Sequence, residues 1–144
     1  MSLVSSLTES DYRALLAFRV ALTRFQHWHA QQVNRAGLTS QQYNLLLAIR
    51  AHPEPGGPSI RELSDYLVLR HHSTVELVDR AVATGMVRRV TDRRDRRVVR
   101  VRLSSAGETL VRELENLHRE ELRQIAPALS MIYESLSMAP PDEG

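Results

Sequence analysis

The chain has 144 residues, 42% hydrophobic and 25% charged, which is the size and composition of one domain with its own core and excludes wholesale disorder. It contains no cysteine, so disulfides, thiolate metal sites and cysteine redox switching are excluded. No apolar run approaches the ~20 residues that span a bilayer, and no signal-peptide pattern opens the chain, so a soluble cytoplasmic protein without a membrane partner is expected. The formal net charge is only +2, from 19 basic residues that are all arginine and 17 acidic ones. Eight of the arginines (Arg88, Arg89, Arg93, Arg94, Arg96, Arg97, Arg100 and Arg102) fall within residues 88–102, beside only Asp92 and Asp95. A near-neutral chain that gathers its positive charge in one short window presents an electrostatic footprint there. Phosphate backbones are the commonest partner of such a patch, and a solvated face neutralised by acidic neighbours is the other reading.

The predicted elements follow in chain order. Thr8-Glu9-Ser10-Asp11 reads as a helix start, with Thr8 as cap and acids at the positive helix end. Leu15, Phe18, Leu22, Phe25, His29 and Val33 then recur at three- and four-residue steps, and Gly37 supplies a stop. Thr39 to Gln42 is a capping box that opens a Leu-rich helix ending before Pro53. Residues 52–58 hold three prolines and two glycines and read as a loop. Ser59 to Glu62 is a second capping box, opening a short helix with Ile60, Leu63 and Leu67 inward. After a turn through Val68–His71, a helix starting at His72 or Ser73 buries Leu77, Val78 and Ala81 and ends at Gly85. Met86–Thr91 and Val98–Leu103 read as two strands, the second alternating Val99, Val101 and Leu103 with Arg100 and Arg102 as one apolar and one basic face. The intervening Asp92–Arg97 lacks Gly and Asn, so a turn longer than two residues is expected. Ser105 with Glu108 reads as a third capping box, with Ser104 as the alternative cap, before a long helix carrying Leu110, Leu114, Leu117 and Ile125. Pro127 is expected to break or kink that helix or to start another, which carries Leu129, Ile132, Tyr133 and Leu136. The tail Ala139–Gly144 reads as frayed.

The order helix, helix, short helix, turn, helix, hairpin, long helix contains a helix-turn-helix followed by a two-stranded wing. A short helix braces a second one narrow enough for a major groove, and the hairpin carries arginines toward the flanking backbone or minor groove. The fold class is therefore mainly α with a small β-hairpin wing (α+β), flanked by long N- and C-terminal helices. Residues 38–115 resemble the MarR family of winged-helix transcription regulators. The resemblance is carried by Ser59-Ile60-Arg61-Glu62-Leu63-Ser64, then the run from Ser73 to Arg80, then Gly85-Met86-Val87-Arg88-Arg89, then Asp92 to Arg97, and finally Leu103-Ser104-Ser105-Ala106-Gly107. It implies an obligate homodimer built from the terminal helices that reads a palindromic operator in double-stranded DNA. It also implies a repressor, often one released by a small aromatic or lipophilic effector. On this reading residues 1–37 are an N-terminal dimerisation helix, 38–104 the DNA-binding lobe, and 105–144 the C-terminal dimerisation helices and tail, together one integrated domain.

The DNA-contacting candidates in the recognition helix are His71, His72, Ser73, Val75, Glu76 and Arg80. Val75 can meet a thymine methyl, but Val75, Val78 and Val82 equally form a core stripe. Glu76 departs from the basic or polar residue often found there in the family: a carboxylate only accepts, for instance from cytosine N4, and repels phosphate. In the wing, Arg94 matches the family's tip arginine. Arg93, Arg96 and Arg97 are backbone contacts or partners of Asp92 and Asp95, and at least one of them is expected in an intra-wing salt bridge. Ser59 and Arg61, at the first turn of the brace helix, are candidate phosphate contacts. The family analogy places an effector in the cleft between the dimer helices and the DNA-binding lobe, with Arg24, His27, Trp28, His29, Tyr43 and Leu47 as candidate lining, and an ordinary interhelical core as the competing reading. His27 and His29 stand two apart on a helix and so face apart, and neither a metal nor any other cofactor is expected. No nucleophile motif, glycine-rich phosphate loop or metalloprotease spacing is present, so catalysis is not expected. The alternative to a DNA-reading regulator is a winged-helix module used only for protein contacts.

Overall fold

The structure, a computed structural model, describes residues 6–137. Its elements are α1 (Glu9–Arg35), α2 (Ser40–Ala51), α3 (Ile60–Leu67), α4 (His71–Ala83), β1 (Val87–Thr91), β2 (Val99–Leu103), α5 (Ser105–Glu113) and α6 (Glu115–Ser137). The expected mainly helical fold with a hairpin wing is the observed one. The chain divides into two compact units: the chain up to Gln31 with the chain from Leu117, and Gln32–Asn116.

In the unit Gln32–Asn116, local signals set the element starts. Thr39 and Gln42 exchange hydrogen bonds of 2.9 and 3.1 Å as a reciprocal box before α2. Ser59 and Glu62 do the same before α3. Each box satisfies two amides that the first helical turn cannot pair internally. Three helices end in one geometry: the amide after the cap reaches back five residues while the cap amide reaches back three. This occurs at Gly37 (Leu38 N to Val33 O, 2.9 Å), at Gly85 (Met86 N to Ala81 O, 3.0 Å) and at Val68 (Leu69 N to Ser64 O, 3.1 Å). All three turn residues have positive φ: 81°, 77° and 53°. Glycine takes that region freely, whereas the β-branched Val68 takes it against steric resistance.

The core of this unit lies among α2, α3, α4 and the hairpin. Tyr43, Leu45 and Leu46 of α2, Leu63 of α3, Leu77, Val78 and Ala81 of α4, and Val87 and Val101 of the strands are buried. β1 and β2 pair antiparallel with Val87 opposite Leu103, Arg88 opposite Arg102, and Thr91 opposite Val99. A third segment, not anticipated from the sequence, joins this hairpin: Ser59 bridges Arg100, and Val101 N donates to Pro58 O at 2.8 Å. The cap of α3 is thereby stitched to the wing.

Several element boundaries differ from the sequence reading. Helix α4 starts at His71, with Arg70 as N-cap and no side-chain cap. Ser104, not Ser105, caps α5: its hydroxyl accepts from Gly107 N at 3.0 Å. Counting from Ser104 puts Gly107 at the third helical position, so the box with Glu108 does not form. The expected long helix divides at Leu114, which adopts φ −84° and ψ 4°, and Pro127 lies inside α6 without ending it. In the other unit, Thr8 and Asp11 cap α1 reciprocally (2.8 and 3.2 Å), Phe25 stacks on His29 with ring centroids 6.0 Å apart, and His29 Nε2 sits 3.2 Å from Glu121 Oε1. The side chain of Leu136 and the tail Ala139–Gly144 lie outside the described residues.

Candidate nucleic-acid interface

Helix α4 is amphipathic, and its packing decides which side chains can meet a ligand. Thr74, Leu77, Val78 and Ala81 are turned inward. Thr74 is fully buried, and its hydroxyl meets the Ser64 hydroxyl of α3 at 2.9 Å and donates to Arg70 O at 3.1 Å. This bond fixes the rotation of α4 on its brace. His71, His72, Glu76, Asp79 and Arg80 are left exposed, while Ser73 and Val75 are half-buried. Val75 thus has one edge in each of the two environments that the sequence left open. Arg61 is exposed on the first turn of α3, and the Ser59 hydroxyl oxygen accepts from Glu62 N as the cap of that helix.

The hairpin tip is organised by its two aspartates. Asp92 N donates to Val98 O and Val98 N to Asp95 O, both at 3.0 Å, which closes a seven-residue loop. The Asp92 carboxylate accepts from Arg94 N at 2.8 Å and from Arg100 Nε at 3.1 Å. The Arg94 amide above all, together with Arg100, holds the Asp92 carboxyl below its usual range. Asp95 is lowered too, chiefly by the Arg97 side chain (3.0 and 3.2 Å) and then by the Arg97 amide. Arg97 is therefore the arginine with the intra-wing partner. Among the described residues, the side chains of Arg93, Arg94 and Arg96 are exposed and make no hydrogen bond or ion pair. The acids that could neutralise the tip are already occupied, so three guanidiniums point free from one loop.

The alternating pattern fails at the start of β2, where Val99 is exposed rather than buried. The pattern puts Arg100 with Arg102 on a basic face, yet its side chain is only 22% exposed and is fully engaged. It donates to Gly57 O at 3.0 Å, grips Asp92, and lies 3.5 Å from Glu62 Oε1 and 3.8 Å from Glu54. Glu62, the box residue of α3, also meets His52 at 3.4 Å, and His52 Nδ1 meets the Tyr66 hydroxyl at 2.9 Å. Burial raises the Glu62 carboxyl, but the Ser59 amide and hydroxyl and the charges of His52 and Arg100 together bring it below its usual value. A continuous polar strut thus joins α2, α3 and the wing. Asp79 of α4 and Arg89 of β1 form a further ion pair between helix and wing. No local sequence signal marks these partners, because they lie up to 43 positions apart.

The six candidate effector contacts fall in both units. Arg24, His27, Trp28 and His29 belong to α1; Tyr43 is 1% exposed in the α2 core; Leu47 is exposed and lines a groove of about 420 Å³ with Ala48, Ala51, Tyr66 and Leu67. Among the described residues no three His, Asp or Glu side chains group to hold a metal ion, and no helix is long and apolar enough to cross a membrane.

Comparison with known proteins places this geometry. Residues 36–98 match the family model described as MarR family. The chain is 39% identical over 72 residues to the uncharacterized HTH-type transcriptional regulator YsmB of Bacillus subtilis (strain 168), a match that covers 50% of this chain and 49% of that protein. It therefore spans about half the length of that curated relative. Among solved structures, AbsC, a MarR family transcriptional regulator from Streptomyces coelicolor, superposes with a TM-score of 0.73 at 19% identity, over 84% of this chain and 81% of that one. MepR from S. aureus, in its DNA complex, gives 0.66 at 18% identity, over 85% of each chain. Residues 36–98, with the helix-turn-helix, the hairpin tip and most of the strut between them, match the MarR family model, and the fold of the chain is that of the MarR winged-helix proteins.

Proposed function

We propose that this chain is a sequence-specific, DNA-binding transcription regulator that acts as a homodimer on a palindromic operator. The observation that carries the reading is the juxtaposition just described: an exposed α4 face, fixed in rotation by Thr74, beside a tip whose Arg93, Arg94 and Arg96 have no protein partner. On this proposal His71, His72, Ser73, Val75, Glu76 and Arg80 face the major groove. Arg94 enters the adjacent minor groove, where the negative potential is deepest, and Arg93, Arg96, Ser59 and Arg61 meet phosphates, with Arg97 contributing through its exposed guanidinium. The uncapped first turn of α4 leaves amides free for a phosphate. A dimer is supported by apolar side chains standing in solvent on both long helices: Tyr12, Leu15 and Leu16 on α1, and Leu122, Leu129 and Tyr133 on α6. Two copies would set their α4 helices about 34 Å apart along the duplex. The repressor role and release by a small aromatic or lipophilic effector belong to the same proposal and rest on the family resemblance.

The test is fluorescence anisotropy with the DNA upstream of the protein's own gene against scrambled DNA at two salt concentrations. The reading requires preference for the former and weakening with salt. Arg94→Ala removes one cation from each protomer and should lower affinity and flatten the salt slope by about two units per dimer. Undiminished binding by Arg94→Ala would overturn the wing's role. Absence of any preferred sequence in a genome-wide selection of bound fragments would favour the protein-contact module instead.

A further inference from the structure

The basic window holds more charge than the wing tip uses. Arg88 and Arg102 stand directly opposite each other in the antiparallel register, both exposed. Like charges in that position repel. Arg102 also lines a cleft of about 400 Å³ together with Arg50 at the end of α2 and Arg112 on α5. Among the described residues none of Arg50, Arg88, Arg102 and Arg112 has a hydrogen-bonded or ionic side-chain partner. Of the two carboxylates at the cleft, Glu54 lies 3.8 Å from Arg100 and Glu108 alone is unpaired. The cleft also has apolar lining from Ile49, Leu103 and Val111.

We infer that this cleft is a binding site for a small organic anion with an apolar body, the anionic group held by Arg102 and Arg112 and the body against Ile49, Leu103 and Val111. The volume lies in the range of small-molecule sites, and the mixed lining matches neither a bare phosphate nor a purely apolar guest. Charge complementarity selects the anion, since planar guanidiniums bind carboxylate, sulfonate and phosphate groups in paired hydrogen bonds. The site lies within the unit Gln32–Asn116, and its lining includes none of the candidate effector contacts named from the sequence. Its occupant would touch β2, which carries the wing, and the loop at Gly57 that Arg100 grips. Anion binding there would therefore bear on the root of the wing.

The inference is tested with a small-molecule probe and needs no operator, so it stands or falls apart from the proposed function. The probe is anilinonaphthalene sulfonate, titrated by fluorescence into the whole chain, with sulfonate-free N-phenylnaphthylamine as the neutral control. Saturable binding of the sulfonate in preference to the neutral probe is expected. It should weaken about tenfold in Arg102→Gln and in Arg112→Gln, each losing one charge-assisted contact. Both side chains are exposed, so circular dichroism should show both variants folded; Arg50→Gln is the further variant should either fail. Amide shifts in the labelled protein should cluster at residues 49–57 and 102–112. Equal binding of the two probes, unweakened binding by folded arginine variants, or shifts confined to the long helices would overturn the site. Displacement of the probe by a short random-sequence duplex would also overturn it, by assigning the arginines to DNA phosphate.

Discussion

Val68 offers a clean measurement of backbone strain, because the same helix ending occurs three times in one unit. Gly37, Val68 and Gly85 each close a helix with the same pair of backward amide bonds and the same sign of φ. A left-handed conformation costs a residue with a Cβ about 1–2 kcal/mol, and a β-branched side chain sits at the upper end. The Val68 side chain is 88% exposed, so removing it forfeits almost no packing. Against the relief stands the greater freedom of glycine in the unfolded chain, about 0.4–1 kcal/mol. Val68→Gly should therefore stabilise the protein by about 0.5–1 kcal/mol, or about 2–4 °C in Tm. The reverse substitutions calibrate it. A Cβ built at Gly37 or Gly85 meets nothing within 4 Å, so Gly37→Ala and Gly85→Ala should destabilise by a similar amount through φ alone. Urea denaturation at fixed protein concentration measures all three, with an unchanged m-value showing that the compactness of the unfolded state has not changed. If Val68→Gly is neutral or destabilising while Gly85→Ala is costly, strain at Val68 is refuted.

Three further outcomes follow from the strut and the helix brace. Arg100→Met should lower stability by about 2 kcal/mol, since hydrogen bonds from a charged donor are lost and both Asp92 and Gly57 O are left without that donor; a change below about 0.5 kcal/mol in urea unfolding would contradict the strut. Thr74→Val keeps the shape but removes the bonds to Ser64 and Arg70, and should cost about 1–2 kcal/mol by the same assay. The folded Glu62 carboxyl is held below its ordinary value of about 4.5. Its contribution is therefore present above that pH and is lost as pH falls through the lowered value. The stability gap between the wild type and Glu62→Gln, which can keep the capping box, should be largest near neutrality and shrink below about pH 4.5; a gap that is constant with pH would refute the assignment.

Much of what depends on neighbours in the chain is legible in the sequence. The boxes at Thr39 and Ser59, the stop glycines, the inward stripe Leu77, Val78 and Ala81, and the length of the Asp92–Arg97 turn all follow from spacings of two to four residues. The competition between Ser104 and Ser105 for the cap of α5 was visible but not decidable, because both are good caps one position apart. Contacts between distant segments were not legible. Arg100 looks like Arg102 to a period of two, and only the approach of residues 57–59 to β2 turns it inward. Thr74 reads as a neutral helical residue until Ser64 is placed against it. Pro127 carries a real local penalty, yet α6 neither ends nor restarts there, and the division comes instead at Leu114, which has no breaker in its sequence.

The loop from Asp92 to Val98 closes on itself through its two aspartates, while its attitude is set from outside by Arg100. Shape and bearing are thus encoded by residues different from those that touch the outside world. Arg93, Arg94 and Arg96 can be exchanged without unmaking the turn or changing its stance, much as a tool bit is changed in a fixed chuck. If the tip reads a groove as proposed, a lineage carrying this hairpin can drift through new groove preferences by substitution at three positions, with folding left untouched at each step. The same separation makes the tip a natural cassette for retargeting experiments.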